Sequence, residues 1–335
     1  MTRSYILAAV AVVVLVGLAL LPNYLGPFHI RVLQLFFFSA GLAVAWNILG
    51  GFSGYWSFGH TAFIGIGAFA AAHLTMRIGT FGPAPWSMIL PVLAGAGVSA
   101  LIAAIVAYPM LRLRGIYFAI AMLGLGQVFA ELVNNIRWFQ GGVGVFLPAP
   151  VPAGMPPERF FYYVFLGLLA FTFAVSVWVR YSRLGTGLLA IREDEDTAGM
   201  LGVPAERYKI ITFVLSAALV GMLGGAYGHS VGYFTTDTVF RIDFSLNMIV
   251  YSLIGGLGTL LGPILGAAIM LFVTNVLLSH LLEVHLLIKG MIVVAIVLLI
   301  PRGILGTAAT LWQRWRSRGQ ERPEEPAPKP AEGRS

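Results

Sequence analysis

Cysteine is absent from the chain, which rules out disulfides and thiolate metal sites, leaves the redox compartment of its loops open, and makes helix packing the source of stability. Charge is nearly as scarce. Asp, Glu, Lys and Arg make up 10% of the 335 residues, against about a quarter in a soluble domain. No Gly-x-x-x-x-Gly-Lys-[Ser/Thr] phosphate loop occurs, so ATP chemistry would have to come from another chain. No His, Asp and Glu cluster has metal-ligand spacing, and no Ser, His and Asp set points to hydrolysis; a catalytic reading has no support.

What is present is apolar. Hydrophobic residues make up 58% of the chain, the mean hydropathy is +0.86, and the charges fall between runs long enough to cross a bilayer, roughly 20 residues each. These runs are Tyr5 to Leu21, Ile30 to Leu49, His60 to Met76, Ser87 to Tyr108, Ile116 to Asn134, Phe160 to Val179, Ile210 to Val231, Phe244 to Leu260, Ile264 to His280 and Leu286 to Ile300. They predict an all-α membrane protein of about ten transmembrane helices, whose 40 glycines allow the close helix approach that drives association in lipid. The pair after Phe244 is open to two readings, because Gly255, Gly256, Gly258, Gly262 and Pro263 suit either a tight turn or a break within a re-entrant helix. The first run follows Arg3, but Leu21-Pro22-Asn23-Tyr24 lacks a small-residue cleavage pattern, so it is read as a retained helix.

The net charge of +7 follows membrane topology rather than nucleic acid, since the basic residues lie in loops and at the C-terminus. With ten spans and a cytoplasmic N-terminus, Arg3, Arg112, Arg114, Arg180, Arg183, Arg192, Arg207, Lys209 and everything basic from Arg302 onward fall inside. That is fifteen of the 21 Lys and Arg, leaving Arg31, Arg77, Arg137, Arg159, Arg241 and Lys289 outside or near an outer helix end. Both termini are therefore expected in the cytoplasm. Residues 1–306 read as one transmembrane domain containing a cytoplasmic segment at 185–202, and 307–335 as a disordered basic, Pro-rich tail. Within it, Trp312 to Arg318 is an expected anchor to anionic lipid. Asn135 to Arg159, rich in Pro and Gly, reads as an extended external loop.

A weak internal symmetry pairs Ile48-Leu49-Gly50-Gly51, leading into Ser57-Phe58-Gly59-His60, with Leu253-Ile254-Gly255-Gly256, leading into Leu261-Gly262-Pro263. Gly-broken segments in corresponding places point to two inverted-topology halves with a path between them, although Gly-rich turns also join ordinary short-looped helices. Polar residues inside the runs are Asn47, His60, Gln127, Glu131, Asn247 and Asn275. Each could serve an interhelical hydrogen bond, worth about 0.6 to 2 kcal/mol, or line the path. With Gly59, Gly255 and Gly256, the first five form the candidate translocation path.

The stretch Leu188 to Gly202 reads as a short amphipathic helix: Leu188, Ile191, Met200 and Leu201 are apolar, four consecutive acids sit between, and Gly202 with Pro204 stops it. Such an ordered insertion in a short-looped chain implies a docked soluble partner, whereas a merely solvated helix is the plainer reading.

The run Ala190-Ile191-Arg192-Glu193-Asp194-Glu195 with Leu201-Gly202, preceded by Ser182-Arg183-Leu184-Gly185, resembles the cytoplasmic loop of the branched-chain amino acid ABC transporter permeases. The same family pattern recurs at Gly54 to Phe63, Leu111 to Ile120, Gly255 to Pro263 and Pro301 to Ile304, in order across Arg31 to Gly306; the Leu111 to Phe118 element resembles the second, M-type, of two paralogous subunits. The resemblance implies the ABC importer permease fold and a complex of this chain with a paralogous permease subunit, two ATP-binding-cassette ATPases that use ATP and Mg, and an extracytoplasmic solute-binding protein. It implies no cofactor on this chain and places it in a bacterial inner membrane. By resemblance, the segment from Gly185 to Gly202, including Ala190, Ile191, Arg192, Glu193, Asp194, Glu195 and Leu201, is the ATPase-coupling element. Thr186 and Leu189 depart from the family pattern, as does Gly141-Gly142-Val143-Gly144. An ion-gradient-driven secondary transporter is the alternative, but it would need carboxylates deep in the spans, and only Glu131, near an outer end, is offered. Leucine, isoleucine and valine are the default solutes by resemblance, with aromatic amino acids, urea and short amides open.

Overall fold

A computed structural model describes residues 13, 15–78, 86–139, 142–148, 150–152, 154–274, 290–291 and 303–307. The helices follow the apolar runs: α1 Pro27–Ser53, α2 Thr61–Ile78, α3 Trp86–Leu111, α4 Ile116–Asn135, α5 Pro157–Tyr181, α6 Arg183–Glu193, α7 Glu195–Met200, α8 Ala205–Val231, α9 Thr236–Val239, α10 Ile242–Gly255 and α11 Gly262–Phe272. Five are long and apolar enough to cross a membrane, namely α1, α3 from Ser87, α4, α5 and α8. Among the described residues the chain is thus an all-helical membrane protein apart from one small ribbon, in which β1 (Val145–Phe146) pairs antiparallel with β2 (Tyr233–Phe234). That ribbon ties down part of the loop expected to be extended and wet. Of the first run, residues 15–20 are helical, and the hydroxyls of Tyr162 and Tyr163 on α5 donate to the carbonyls of Leu18 and Ala19 at 2.6 and 3.1 Å. The expected span at Leu286 to Ile300 (apart from 290–291), Asn275 and the tail beyond residue 307 lie outside the described residues.

α8 is the axis of the bundle, and small residues set how near its neighbours come. A Cβ added at Gly67 on α2 would stand 2.1 Å from the Gly221 carbonyl of α8, and one at Gly95 on α3 would stand 2.8 Å from the same oxygen. Lipid tails give helices little hydrophobic reason to associate, so this close van der Waals approach is what holds them. Around it, Phe37, Phe38, Trp46, Phe63 and Phe213 are fully buried.

α1 and α8 each run 27 residues. They pack antiparallel: Ser216 Oγ donates to the Ala45 carbonyl at 2.7 Å, and Phe38 stacks on Tyr227 at 4.7 Å. Each ends at a glycine in the left-handed region, Gly54 (φ 77°) and Gly232 (φ 76°), followed by a tyrosine and a stretch outside any long helix. The symmetry expected from sequence pairs other segments, and it is corrected here. Gly50–Gly51 and Gly255–Gly258 lie together at one end of the bundle, where Asn47 bridges them through Gly258 N to Oδ1 and Nδ2 to the Thr259 carbonyl, both 3.0 Å. Matched parts of inverted halves would sit at opposite ends.

After Gly54 the chain turns back into the bundle without forming helix. His60 Nε2 lies 2.9 Å from Ser216 Oγ, the same hydroxyl that bonds Ala45, so residue 60 is level with residue 45 although α1 runs on to Ser53. Irregular backbone at such depth is tolerated only inside protein or along a wet cavity. Ser57 and His60 are indeed wholly buried, and Trp46 Nε1 satisfies the Ser57 carbonyl at 2.8 Å. α2 begins at that depth. In the second half, α10 stops at Gly255 rather than running to Leu260, because Gly256 (φ 124°) and Gly258 (φ 75°) turn the chain. α11 then folds back tightly, so that a Cβ at Gly266 would meet the Tyr251 carbonyl at 1.9 Å. α10 and α11 thus run antiparallel about a tight turn.

Candidate coupling segment and solute cleft

The segment expected to be one amphipathic helix is two. α6 opens at Ser182, whose hydroxyl accepts from Gly185 N at 3.3 Å, and it turns a corner so tight that a Cβ at Gly185 would stand 2.2 Å from the Val179 carbonyl. Leu188 and Ile191 are buried against the bundle. Asp194 then takes an extended conformation and caps α7, accepting from Thr197 N at 2.6 Å. A carboxylate at a helix start satisfies an orphan amide and faces the positive end of the helix dipole. These hydrogen bonds from Thr197 hold the Asp194 carboxyl below its ordinary value. α7 ends with Met200 and Leu201 80% and 79% exposed, and Gly202 (φ 85°) reverses the chain.

The acidic run does not form one free face. Glu193 is exposed, but Glu195 turns inward. Its Oε1 accepts from Lys209 Nζ at 2.7 Å, its Oε2 accepts a hydrogen bond from the Tyr55 hydroxyl, and the Arg114 guanidinium lies 3.6 Å away. Lys209, 3% exposed at the start of α8, also donates to the Tyr55 hydroxyl at 2.9 Å and to the Leu111 carbonyl at 3.2 Å, so three donor directions are used. Burial pushes the Glu195 carboxyl up, but the bonds from Lys209 and Tyr55 and the nearby positive charges outweigh it and hold the group below its ordinary value. Burial and the Glu195 carboxylate push the Tyr55 phenol up. Asp196 pairs with Arg114 at 3.0 Å on the surface. Arg192 points back too, donating to the Gly51 carbonyl at 2.8 Å. Glu193 and the Arg114–Asp196 pair are exposed on the outer side of the segment. Ala190 is half-buried on α6.

The expected path residues divide. Gln127 and Glu131 on α4 border a cleft of about 320 Å³. Asn134, Thr236, Asp237 and Arg241 border it as well, together with the apolar Phe58 and Leu123. None of these four polar residues was singled out from sequence; Asp237 and Arg241 sit between two apolar runs, where a charge reads as an ordinary loop. Thr61 fixes the cleft wall, its hydroxyl donating to the Arg241 carbonyl at 2.7 Å and its amide to Ser245 Oγ at 2.8 Å. Asn135 Nδ2 donates to Glu131 Oε2 at 3.1 Å, and Arg241 pairs with Asp243 at 2.6 Å. Gly59 lies behind the cleft, where a Cβ would stand 1.9 Å from the Met122 carbonyl of α4. His60 faces the core, and Asn47, Gly255 and Gly256 belong to the turn at the end carrying α6. Asn247 is half-buried on α10.

Five helices long and apolar enough to cross a bilayer, joined to a charged helical segment, define an integral membrane protein. The family model described as branched-chain amino acid transport system / permease component matches residues 28–299. The high-affinity branched-chain amino acid transport system permease protein LivM of Escherichia coli (strain K12) is 29% identical over 84% of this chain and 70% of its own. LivH of the same organism is 29% identical over 42% of this chain and 44% of its own, and the xylose/arabinose import permease protein XylH of Sulfolobus acidocaldarius is 32% identical over 45% and 48%. No solved structure matches. The chain belongs to the branched-chain amino acid transport system permease family; it is a permease subunit of an ATP-binding-cassette importer of small solutes, not an enzyme.

Proposed function

We propose that the chain carries branched-chain amino acids across a bacterial inner membrane as one half of a heterodimeric permease. Similarity to LivM over most of its length carries this reading, and the cleft agrees with it. Arg241 offers a guanidinium to a carboxylate, Glu131 and Asp237 offer carboxylates to an ammonium, and Phe58 and Leu123 offer apolar surface to an aliphatic side chain. Buried Thr236 Oγ1, unpaired among the described residues, adds a further hydrogen-bonding group there.

In this reading residues 1–306 form a domain of ten spans with both termini cytoplasmic, and 307–335 form its cytoplasmic tail. The two inverted halves are led by α1 and α8, supported by their equal length, opposite direction and matching glycine ends. The segment from Gly185 to Gly202 meets one of two ATPases, which bind ATP and Mg while this chain binds no cofactor. The paralogous permease and an extracytoplasmic binding protein complete the importer. Reconstituted with these partners, the chain is expected to take up leucine only when ATP and loaded binding protein are both present. Leucine uptake by this chain alone, driven by an ion gradient, would overturn the reading.

A further inference from the structure

Lys209, Glu195 and Tyr55 join three parts of the chain that are far apart in sequence. Glu195 is on α7, Lys209 begins α8, and Tyr55 opens the non-helical segment that runs back into the bundle. The cluster is shielded, the Lys209 and Glu195 side chains being 4% and 17% exposed. It is also braced: the Tyr55 ring meets Phe118 edge-on at 5.3 Å, and the Lys209 ammonium lies 4.6 Å from the centre of the same ring. Three residues beyond Tyr55, Phe58 borders the polar cleft, and Thr61 holds its Arg241 wall.

From this geometry we propose that the Glu195–Lys209–Tyr55 cluster is a latch through which movement of α7 repositions the cleft wall at Phe58. The inference rests on the reading that α6 and α7 meet an ATPase. A buried ammonium cannot readily leave Glu195, its one carboxylate partner among the described residues, because the uncompensated charge would remain in a poorly solvated site. Displacing Glu195 therefore carries Lys209 and Tyr55 along. From Tyr55 the motion passes along three residues of non-helical backbone that can reach at most about 10 Å, which leaves little slack to absorb it. A second tie, Arg192 to the Gly51 carbonyl at 2.8 Å, holds the other flank of the segment to the end of α1. The three residues are positioning residues: none borders the cleft itself.

The lack of native cysteine permits a direct test. In the assembled transporter, Phe58→Cys is labelled with a membrane-impermeant maleimide, without nucleotide and with ATP plus vanadate. Trp56→Cys, at a residue 39% exposed, is the second reporter on the same segment should Phe58→Cys fail to assemble. With the latch intact, labelling is expected to change at least about threefold between the two states. Tyr55→Phe, which keeps the ring and removes one hydroxyl, and Glu195→Gln, which keeps the shape and removes the charge, should each reduce that change to under about 1.5-fold. ATPase retention should stay unchanged, and the double variant should be no worse than the more affected single one, as expected of groups acting as a unit. Tyr108→Phe, whose hydroxyl hydrogen-bonds Arg112 among the described residues, should behave as the parent. A full nucleotide response in both latch variants would overturn the latch while leaving docking intact. Absence of any response in the parent, with no cross-link from Met200→Cys to the ATPase, would overturn the docking reading and the latch with it.

Discussion

Glu195 shows how little a residue's place in a charge run says about its role. Four acids follow one another, yet one is exposed, one caps a helix, one is turned into the protein and one pairs across the surface. The inward carboxylate has a pH signature whose sign follows from its environment. Lys209 and Arg114 face it with positive charge, Tyr55 donates to it, and Asp196 is the neighbouring acid. Its folded-state value is depressed below the ordinary 4.5, so its contribution to stability is present above that value and lost as pH falls through the lower one. The melting temperature of the purified protein should therefore differ between wild type and Glu195→Gln at about pH 6.5, and the difference should shrink on acidification below about pH 4. A difference independent of pH would mean that the ionised carboxylate contributes nothing.

At the scale of elements, the break between α6 and α7 depends on one side chain. Asp194 leaves the helical conformation so that its carboxylate can accept from Thr197 N at 2.6 Å. A helix of six residues cannot hold itself in water. It is kept by that cap, by buried Ala198 and by the inward bond of Glu195. Removing a cap of this kind costs about 1 kcal/mol, enough to open α7 locally without unfolding the bundle. Asp194→Ala should speed amide exchange at 195–201 about fivefold while leaving the protected amides of α8 unaffected. Equal acceleration in both places would show that α7 is an integral part of the bundle and not a local unit.

At the scale of the whole molecule, the end carrying α6 and α7 also gathers Arg112, Arg114, Arg180, Arg183, Arg192, Arg207 and Lys209 on consecutive turns and helix ends, whereas Arg77, in the last turn of α2, and the ribbon, which follows the C-terminal end of α8, lie at the other end. This agrees with the fifteen-to-six asymmetry of Lys and Arg in the sequence. A cytoplasm-active reporter fused after Asp196 or after Arg318 should be active, and one fused after Val151 inactive. Activity after Val151, or protection of Asp196, would invert the assignment and remove the coupling role from α6 and α7.

Hydropathy by itself located α1 to α5, α8 and α10 to within a few residues, because the cost of unpaired backbone in lipid forces each long apolar run into helix. Order and spacing of short motifs likewise carried the family. Three things were decided only in three dimensions. Gly50–Gly51 and Gly255–Gly256 look alike as strings, but direction in space, which a string does not record, puts them at the same end. The acidic run reads as a solvated face until a lysine fourteen residues on and a tyrosine in a distant turn claim Glu195. The cleft draws Glu131 from α4 and Asp237 and Arg241 from the approach to α10. Polar groups that far apart in sequence have no common period or spacing to reveal them; only the packing of the helices that carry them makes them neighbours.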